Sequence, residues 1–241
     1  MKFLINFLLF LVDFNHKKKI FNFLKKLFYN KPLTIIDIGA HKGESVKIFF
    51  KFFNVKKIIC YEASKNNFKA LKKFIKNFKV NKSKIELYNL GIGSYKTSRQ
   101  FNQTAESSSS TFAKINYKSK YFMKKNNILK FFFGKQYVSS SYKVELVPLE
   151  DELTKHKLKI VNLLKIDTEG FEYEVIKGLG KKIGLVKYIY FEHHFDQMII
   201  KNYTYGKIHH LLKKSNFQKI FKIKMPFRKT FEYIYVNKNI I

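Results

Sequence analysis

The segment that most constrains the fold is residues 34–45, in which an apolar run leads into a turn containing Gly39 and Gly43. The run from Leu33 to Ile38 predicts a fully buried strand, and the turn predicts entry into a helix near Glu44. Because glycine lacks a Cβ, the backbone there can adopt positive φ, and free amides at the helix start can face a bound ligand. A packed corner between strand and helix is the alternative interpretation.

Composition narrows the class of protein and its partners. The chain has 241 residues, 46% of them hydrophobic, which is enough for the core of one α/β domain. Its net charge of +31 would ordinarily indicate nucleic acid or an anionic membrane. However, Arg99 and Arg228 are the only arginines, and arginine makes most bidentate base contacts. We therefore interpret the charge as a lysine-rich surface and disfavour nucleic acid. The single cysteine, Cys60, is consistent with a reducing cytoplasm.

The acid that ends the second predicted strand is the next informative position. This strand runs from Lys57 to Tyr61, and Glu62 follows Gly39 by 23 positions. In nucleotide-binding α/β folds, an acid at about this distance from the glycine turn binds the ribose hydroxyls. Asp37, at the end of the first strand, can orient the glycine turn or meet a polar ligand group. The pattern predicts a ribose-binding role for Glu62, with a surface glutamate as the alternative.

Strands and helices alternate along most of the chain, which predicts a mainly parallel sheet with right-handed crossovers and a ligand at the carboxyl ends of its strands. The last two strands are too close for a crossover, so they should form an antiparallel hairpin. The further predicted helices are Ser45 to Phe53, Asn66 to Phe78, Glu172 to Lys177 and Tyr205 to Lys214. The further strands are Ile85 to Asn89, Val186 to Phe191, Phe217 to Lys224 and Phe231 to Val236, with a buried strand from Leu163 ending in Asp167. Residues 144–153 are predicted to form a short strand that leads to an acid-capped helix.

Ionisable residues follow two of the later strands and should meet the glycine turn at one edge of the sheet. Asp167 and Glu169 follow one strand, and Glu192, His193 and His194 follow the next. A histidine suits a general base, and His193 directly follows the strand tip. Neighbouring histidines cannot both face the cleft if the strand continues, so one should be structural. Asp167 and Glu169 lack a clear third ligand, and we expect no metal.

Two regions depart from the alternating pattern. Residues 97–141 are rich in serine, lysine and aromatic residues, and we interpret them as an acceptor-binding insertion or lid, with a flexible linker as the alternative. Residues 1–31 are expected to form a helical extension preceding the domain at 32–241. Their apolar run, residues 3–12, is too short to span a membrane. The amphipathic run at 20–28 predicts packing on the domain edge, with peripheral contact to an anionic membrane through residues 1–30 as the alternative.

Several motifs together resemble the class I S-adenosylmethionine-dependent methyltransferases, and within them the FkbM family. The resemblance covers residues 33–195, and its most specific part is Leu164-Lys165-Ile166-Asp167-Thr168-Glu169-Gly170-Phe171-Glu172. Ala63 departs from the family, which often has proline after the acid. The other motifs are Asp37-Ile38-Gly39-Ala40-His41-Lys42-Gly43-Glu44, Tyr61-Glu62-Ala63, Val147-Pro148-Leu149-Glu150-Asp151-Glu152-Leu153 and Phe191-Glu192-His193-His194.

The resemblance implies a Rossmann-like fold with a mostly parallel seven-stranded sheet, a C-terminal antiparallel hairpin and helices on both faces. It implies a cytoplasmic enzyme that methylates a hydroxyl of a sugar, glycan or glycolipid precursor. The alternatives are a non-catalytic basic binding module and an RNA methyltransferase. A dehydrogenase is disfavoured because the Gly-x-Gly-x-x-Gly fingerprint is absent. The implied S-adenosylmethionine-binding residues are Asp37, Gly39, Ala40, His41, Gly43, Glu44, Glu62, Ala63 and Gly91, and the catalytic candidates are Asp167, Glu169, Glu192 and His193.

Overall fold

The computed structural model describes residues 16–241 except 106, 134–136 and 227. The helices are α1 (residues 16–28), α2 (Glu44–Phe52), α3 (Lys65–Asn77), α4 (Lys120–Phe133), α5 (Leu149–Lys155), α6 (Glu172–Lys177) and α7 (Tyr205–Lys214). The strands are β1 (Leu33–Ile38), β2 (Val55–Tyr61), β3 (Ile85–Tyr88), β4 (Gly91–Gly93), β5 (Thr97–Thr104), β6 (Lys114–Ile115), β7 (Val138–Pro148), β8 (Val161–Ile166), β9 (Val186–His194), β10 (Ile199–Ile200), β11 (Phe217–Lys224) and β12 (Thr230–Asn237).

A seven-stranded sheet in the order β11-β12-β9-β8-β1-β2-β3 forms the centre of the fold. The strands from β9 to β3 pair in parallel, whereas β12 pairs antiparallel with both β9 and β11. The predicted parallel sheet and terminal hairpin are therefore confirmed. One boundary differs from the prediction in a way that matters for the site, because β9 continues to His194 instead of ending at Phe191.

Apolar side chains alternate between the two faces of this sheet, and helices cover each face. Ile35 belongs to a core with Phe49 of α2 and Leu71 of α3, whereas the neighbouring Ile36 packs into a core with Val175 of α6 and Ile208 of α7. This alternation follows from the two-residue period of a strand. Both faces of the sheet are thus buried, as parallel sheets require.

Helix α1 packs against the same face of the sheet as α2. Ile20, Leu24 and Phe28 are spaced at helical intervals and are all buried in this core. The apolar side of the helix is therefore used within the fold, which supports the predicted edge packing over membrane contact for these residues. The apolar run at 3–12 lies outside the described residues. Within the described part of the chain, no helix is long and apolar enough to cross a membrane.

The segment 97–141 is folded in its described part, so the linker interpretation is wrong there. Strands β5 and β7 pair antiparallel, and β4 joins β7 in parallel to complete a second, three-stranded sheet. Phe101 and Phe112 are buried, with ring centroids 4.8 Å apart, and Phe112 also packs on Phe171 at 5.2 Å. This second sheet is thereby fixed beside the carboxyl ends of the central strands.

Candidate active site

A cleft of about 440 Å³ opens at the carboxyl ends of β1, β2, β8 and β9. Its described wall includes the glycine turn, the end of β2, the residues after β8, the serine-rich part of the insertion and one side of α1. All of the predicted site residues lie along this cleft except Asp37, Gly43 and His193. The cleft is lined by the predicted residues Gly39, Ala40, His41, Glu44, Glu62, Ala63, Gly91, Asp167, Glu169 and Glu192.

The glycines of the turn are required by contacts within the protein. Gly39 and Gly43 have φ angles of 81° and 99°, which favour glycine. A Cβ on Gly39 would lie 1.9 Å from the carbonyl oxygen of Asp167, and one on Gly43 would lie 2.4 Å from the ring of Phe74. The close approach expected from a ligand is therefore made by the chain itself, at the junction of β1 with β8 and of the turn with α3.

The backbone amides of this turn, residues 39–43, are satisfied internally, whereas free amides at the start of α2, from Glu44 onward, stay a prediction. The amides of Gly39 and Ala40 donate to the carbonyl of Tyr61 at 2.9 and 3.2 Å. The His41 amide donates to Glu62 at 2.8 Å. The two remaining amides, of Lys42 and Gly43, donate to the Glu44 carboxylate and the Ala40 carbonyl. The amides of residues 39–43 are consequently not available as free donors to a ligand.

Glu62 is a buried carboxylate at this end of the cleft, with a relative exposure of 5%. Its two oxygens accept the amide protons of His41 and Ser64, each at 2.8 Å. Burial raises the pKa of Glu62 to about 7, although these hydrogen bonds oppose the rise. A carboxylate oxygen has two lone pairs, so Glu62 keeps capacity for a hydroxyl proton beside these bonds and its contact with Asn67. The position and remaining hydrogen-bonding capacity fit the predicted ribose contact.

Asp37 is not among the residues that line the cleft, although its partners Ser45 and Lys165 are. It is fully buried, and it accepts hydrogen bonds from Ser45 and, at 3.1 Å, from the ammonium of Lys165. That ammonium also lies 3.3 Å from Asp167. Burial lowers the pKa of Lys165, but the two carboxylates outweigh this effect and raise it overall. Lys165, unassigned in the sequence analysis, thus joins β1 to Asp167.

Three side chains meet at the other end of the cleft. His194 Nε2 lies 3.0 Å from a Glu169 oxygen and 3.2 Å from a Glu192 oxygen. Burial and the nearby Asp167 raise the pKa of Glu192 well above its usual value, although His194 opposes the rise. Burial lowers the pKa of His194, but Glu169 and its other acidic neighbours raise it well above normal. The three side chains therefore lie close enough to share a proton or a positive charge.

His193 faces the opposite side of the sheet, so its predicted role as the cleft base is wrong. Its ring packs against Phe195 and Tyr203, and its Nδ1 lacks a hydrogen-bond partner among the described residues. Burial lowers the pKa of His193 to about 3, which leaves the ring neutral. The cause is the continuation of β9 to His194, since adjacent strand residues point to opposite faces.

Other residues of the cleft wall were missed by sequence reasoning. Glu232 of β12 is buried, pairs in register with Glu192, and bonds to the side chains of Tyr190 and His16. The insertion contributes Ser107, whose hydroxyl lies 2.8 Å from His41 Nε2. An acid inside an otherwise apolar strand was the available signal for Glu232. No local spacing connects residues so far apart in the chain.

Comparison with known proteins bears on the family and the fold of the chain. The family model of the methyltransferase FkbM domain matches residues 37–219, more than half of the chain. No curated protein matches the chain at a significant level. Among solved structures, the FkbM methyltransferase of Methylobacillus flagellatus KT is 14% identical, with a TM-score of 0.50, and the match covers 85% of this chain and 44% of that one.

Two further solved structures have the same fold. A protein of the NADB-Rossmann superfamily from Streptococcus agalactiae is 10% identical, with a TM-score of 0.51, over 91% of this chain and 66% of that one. Streptococcus pneumoniae Sp1610, described as a candidate tRNA (m1A22) methyltransferase, is 10% identical, with a TM-score of 0.50, over 89% and 68% of the two chains. With the family match and the cleft at the carboxyl edge, the chain belongs to the FkbM family of S-adenosylmethionine-dependent methyltransferases.

Proposed function

We propose that this protein transfers the methyl group of S-adenosylmethionine to a hydroxyl oxygen of a sugar, glycan or glycolipid precursor. The observation that carries the proposal is one continuous cleft with a ribose-type acid, Glu62, at one end and an acid and imidazole cluster, Glu169, Glu192 and His194, at the other. Donor and acceptor can therefore bind side by side in a single site.

The cofactor half offers groups that suit S-adenosylmethionine. Glu62 would accept hydrogen bonds from the ribose hydroxyls, and the apolar wall formed by Leu90, Ile92 and Phe101 suits the adenine ring. Carboxylates farther along the cleft would favour the positively charged sulfonium. When bound, this cofactor supplies an electrophilic methyl group. The chain's own residues orient the two reactants and receive the proton of the hydroxyl.

The acceptor half offers proton acceptors close together. Methyl transfer needs the acceptor oxygen in line with the methyl–sulfur bond, so positioning supplies much of the rate. Asp167 is anchored by Lys165, and Glu169 and Glu192 also line the cleft. Hydroxyl groups donate to carboxylates, which would fix the acceptor and withdraw its proton. The arrangement thus supports acid–base chemistry at an oxygen.

The charge of the cleft favours a neutral acceptor over RNA. Although the whole chain carries +31, acids outnumber bases among the described lining residues. A wall rich in carboxyl groups offers few cations for a polyanion to bind, whereas a polyol can form hydrogen bonds to carboxyl groups in either protonation state. A binding module without catalysis would use only the exterior and would leave the cleft chemistry unexplained. The acidic lining residues are Glu44, Glu62, Asp167, Glu169, Glu192 and Glu232, and the basic ones, histidine aside, are Lys17, Lys165 and Arg228.

The test is methyl transfer from radiolabelled S-adenosylmethionine to a panel of sugars, glycolipid precursors and tRNA. We expect label in a hydroxyl-bearing carbohydrate, loss of transfer in Glu192→Gln, and retention in Glu145→Gln. Glu145 is a matched control because its carboxylate is exposed on β7, away from the cleft. Label in tRNA with none in any carbohydrate would contradict the acceptor class. Failure to bind the cofactor would contradict the proposal as a whole.

A further inference from the structure

We propose that Glu169, Glu192 and His194 bind a divalent metal ion, which holds the acceptor hydroxyl opposite the methyl donor. This inference rests on the proposed function and adds to it a metal requirement that the sequence analysis did not expect. The three residues come from two neighbouring strand ends, and each presents one ligand atom to a common point.

The spacing of the three ligand atoms matches a coordination sphere. His194 Nε2 is 3.0 and 3.2 Å from the two carboxylate oxygens, and all three atoms lie within 4.8 Å of one another. Two ligands about 2.1 Å from an ion and about 90° apart are separated by roughly 3.0 Å. An ion therefore fits between these atoms with only small side-chain adjustments.

The second ring nitrogen of His194 supports a ligand role independently. The side chain is 8% exposed, and its Nδ1 lies 3.1 Å from Thr230 Oγ1 and 3.6 Å from an Asp196 oxygen. With the Nδ1 proton directed at these acceptors, a metal ion would take the place of the proton on Nε2 that lies between Glu169 and Glu192. Metal-binding histidines are oriented in this way by an outer hydrogen bond. An ion at this point would be held by one nitrogen and two carboxylate oxygens.

The charge around the cluster is also unbalanced. Among the described residues, the ion pairs of Glu169 and Glu192 are with His194 alone. Lys165 is already held between Asp37 and Asp167. Glu232 pairs in register with Glu192 and adds another acid nearby. However, Glu232 itself bonds to His16, and the ammonium of Lys201 lies at the His194 carbonyl. A divalent ion would offset the excess negative charge that these side chains place in a partly buried wall.

The ligand set indicates the class of ion and its task. Two carboxylates and one imidazole suit Mn²⁺ or Zn²⁺ better than Ca²⁺, which prefers oxygen alone. Glu169 and Glu192 line the cleft, so the open coordination positions would face the acceptor. A hydroxyl bound there loses its proton more readily, to Asp167 or water. The oxygen–methyl bond then forms as the sulfur–methyl bond breaks, which leaves a neutral thioether and one released proton.

The experiment is a Mn²⁺ titration of the metal-free full chain, followed by electron paramagnetic resonance, without cofactor or acceptor. We expect one saturable site, weakened at least ~10-fold in Glu192→Gln and in His194→Gln and unchanged in Glu145→Gln. Zn²⁺ should displace Mn²⁺ from this site. Thr230→Val, which alters only the outer hydrogen bond, should weaken binding by about 10-fold.

The same preparations are titrated with S-adenosylhomocysteine to separate the two proposals. Binding of S-adenosylhomocysteine without a saturable Mn²⁺ or Zn²⁺ site would overturn the metal inference and leave the proposed function standing. A metal site unaffected by Glu192→Gln would also overturn it. Absence of S-adenosylhomocysteine binding in a folded protein that binds Mn²⁺ would instead contradict the proposed function.

Discussion

The two ends of the cleft are built differently. At the cofactor end, the backbone of residues 39–41 is tied to the end of β2 by its own amides, and the buried acid Glu62 lines the cleft. At the acceptor end, Glu169 and Glu192 converge on one imidazole. The first region is a hydrogen-bonded backbone turn, and the second concentrates ionisable side chains. We therefore expect that substitutions can alter binding of the donor and activation of the acceptor separately.

Lys165 joins the two ends, and its removal should have the largest effect. Lys165→Met would leave Asp37 and Asp167 without their shared cation, and loss of one partner of a buried ion pair costs about 3–5 kcal/mol. Urea unfolding should show this loss. Lys57→Met is the control, because its pair with Glu86 is about one-third exposed and should contribute less than about 1 kcal/mol. Equal losses of unfolding free energy in Lys165→Met and Lys57→Met would contradict the role of Lys165 as the buried cation that joins the two ends.

Gly39 is the second junction, and Gly39→Ala should destabilise the protein by about 3 kcal/mol or more. The added Cβ would collide with the Asp167 carbonyl, and φ at this position is positive. The free energy of unfolding, measured with urea, would report the change. Gly184→Ala provides the comparison, since open space surrounds the Cβ position of Gly184. A mild effect of Gly39→Ala would mean that the turn tolerates displacement.

The pH dependence of cofactor binding should distinguish the two ends. The pKa of Glu62 is about 7, and the ionised form is the better acceptor for ribose hydroxyls. Binding then releases a proton below pH 7, so affinity for S-adenosylhomocysteine should rise by up to about 10-fold per pH unit up to 7 and level off above it. Calorimetry from about pH 5.5 to about pH 8.5 measures the slope of this affinity against pH. Glu62→Gln should abolish the slope; its persistence would assign the proton to another group.

The smallest effect should come from His193. His193→Leu replaces a neutral, buried ring whose Nδ1 lacks a hydrogen-bond partner among the described residues. We therefore expect a change in the free energy of unfolding within about 1 kcal/mol. Methyl transfer should be retained, whereas His194→Gln should abolish it. Assays of both variants against one acceptor make this comparison. Loss of transfer in His193→Leu with the fold intact would place the base on the other face of the sheet.

The central strands and the cofactor end were largely predictable from the sequence. The bounds of β1, α6, α7 and β11 follow from apolar runs and helical spacing, and Glu62 follows from its distance to Gly39. The direction of Asp37 was not predictable, because its partner Lys165 lies far along the chain. The packing of Gly43 against Phe74 was not predictable either, because the two residues lie on different elements.

The acceptor end depends on register and distant contacts that spacing does not reveal. Extension of β9 to His194 decides which histidine lies on the same face of the sheet as Glu192, since a shift of one residue reverses the side. In β7, the exposed serines at 139–141 lack the apolar alternation of a strand, so the sequence did not predict that this strand begins at Val138. The cluster of Glu232 with His16 and Tyr190 joins three separate elements. Such features require the assembled sheet.

The most direct test of the two-part cleft measures S-adenosylhomocysteine and Mn²⁺ binding in the wild type, Glu62→Gln and Glu192→Gln, by calorimetry and paramagnetic resonance. We predict that Glu62→Gln loses about 1.5–3 kcal/mol of S-adenosylhomocysteine affinity and keeps the metal site. Glu192→Gln should lose the metal site and keep S-adenosylhomocysteine binding. Wild-type affinity for S-adenosylhomocysteine in Glu62→Gln, or loss of both ligands in either folded variant, would contradict the account.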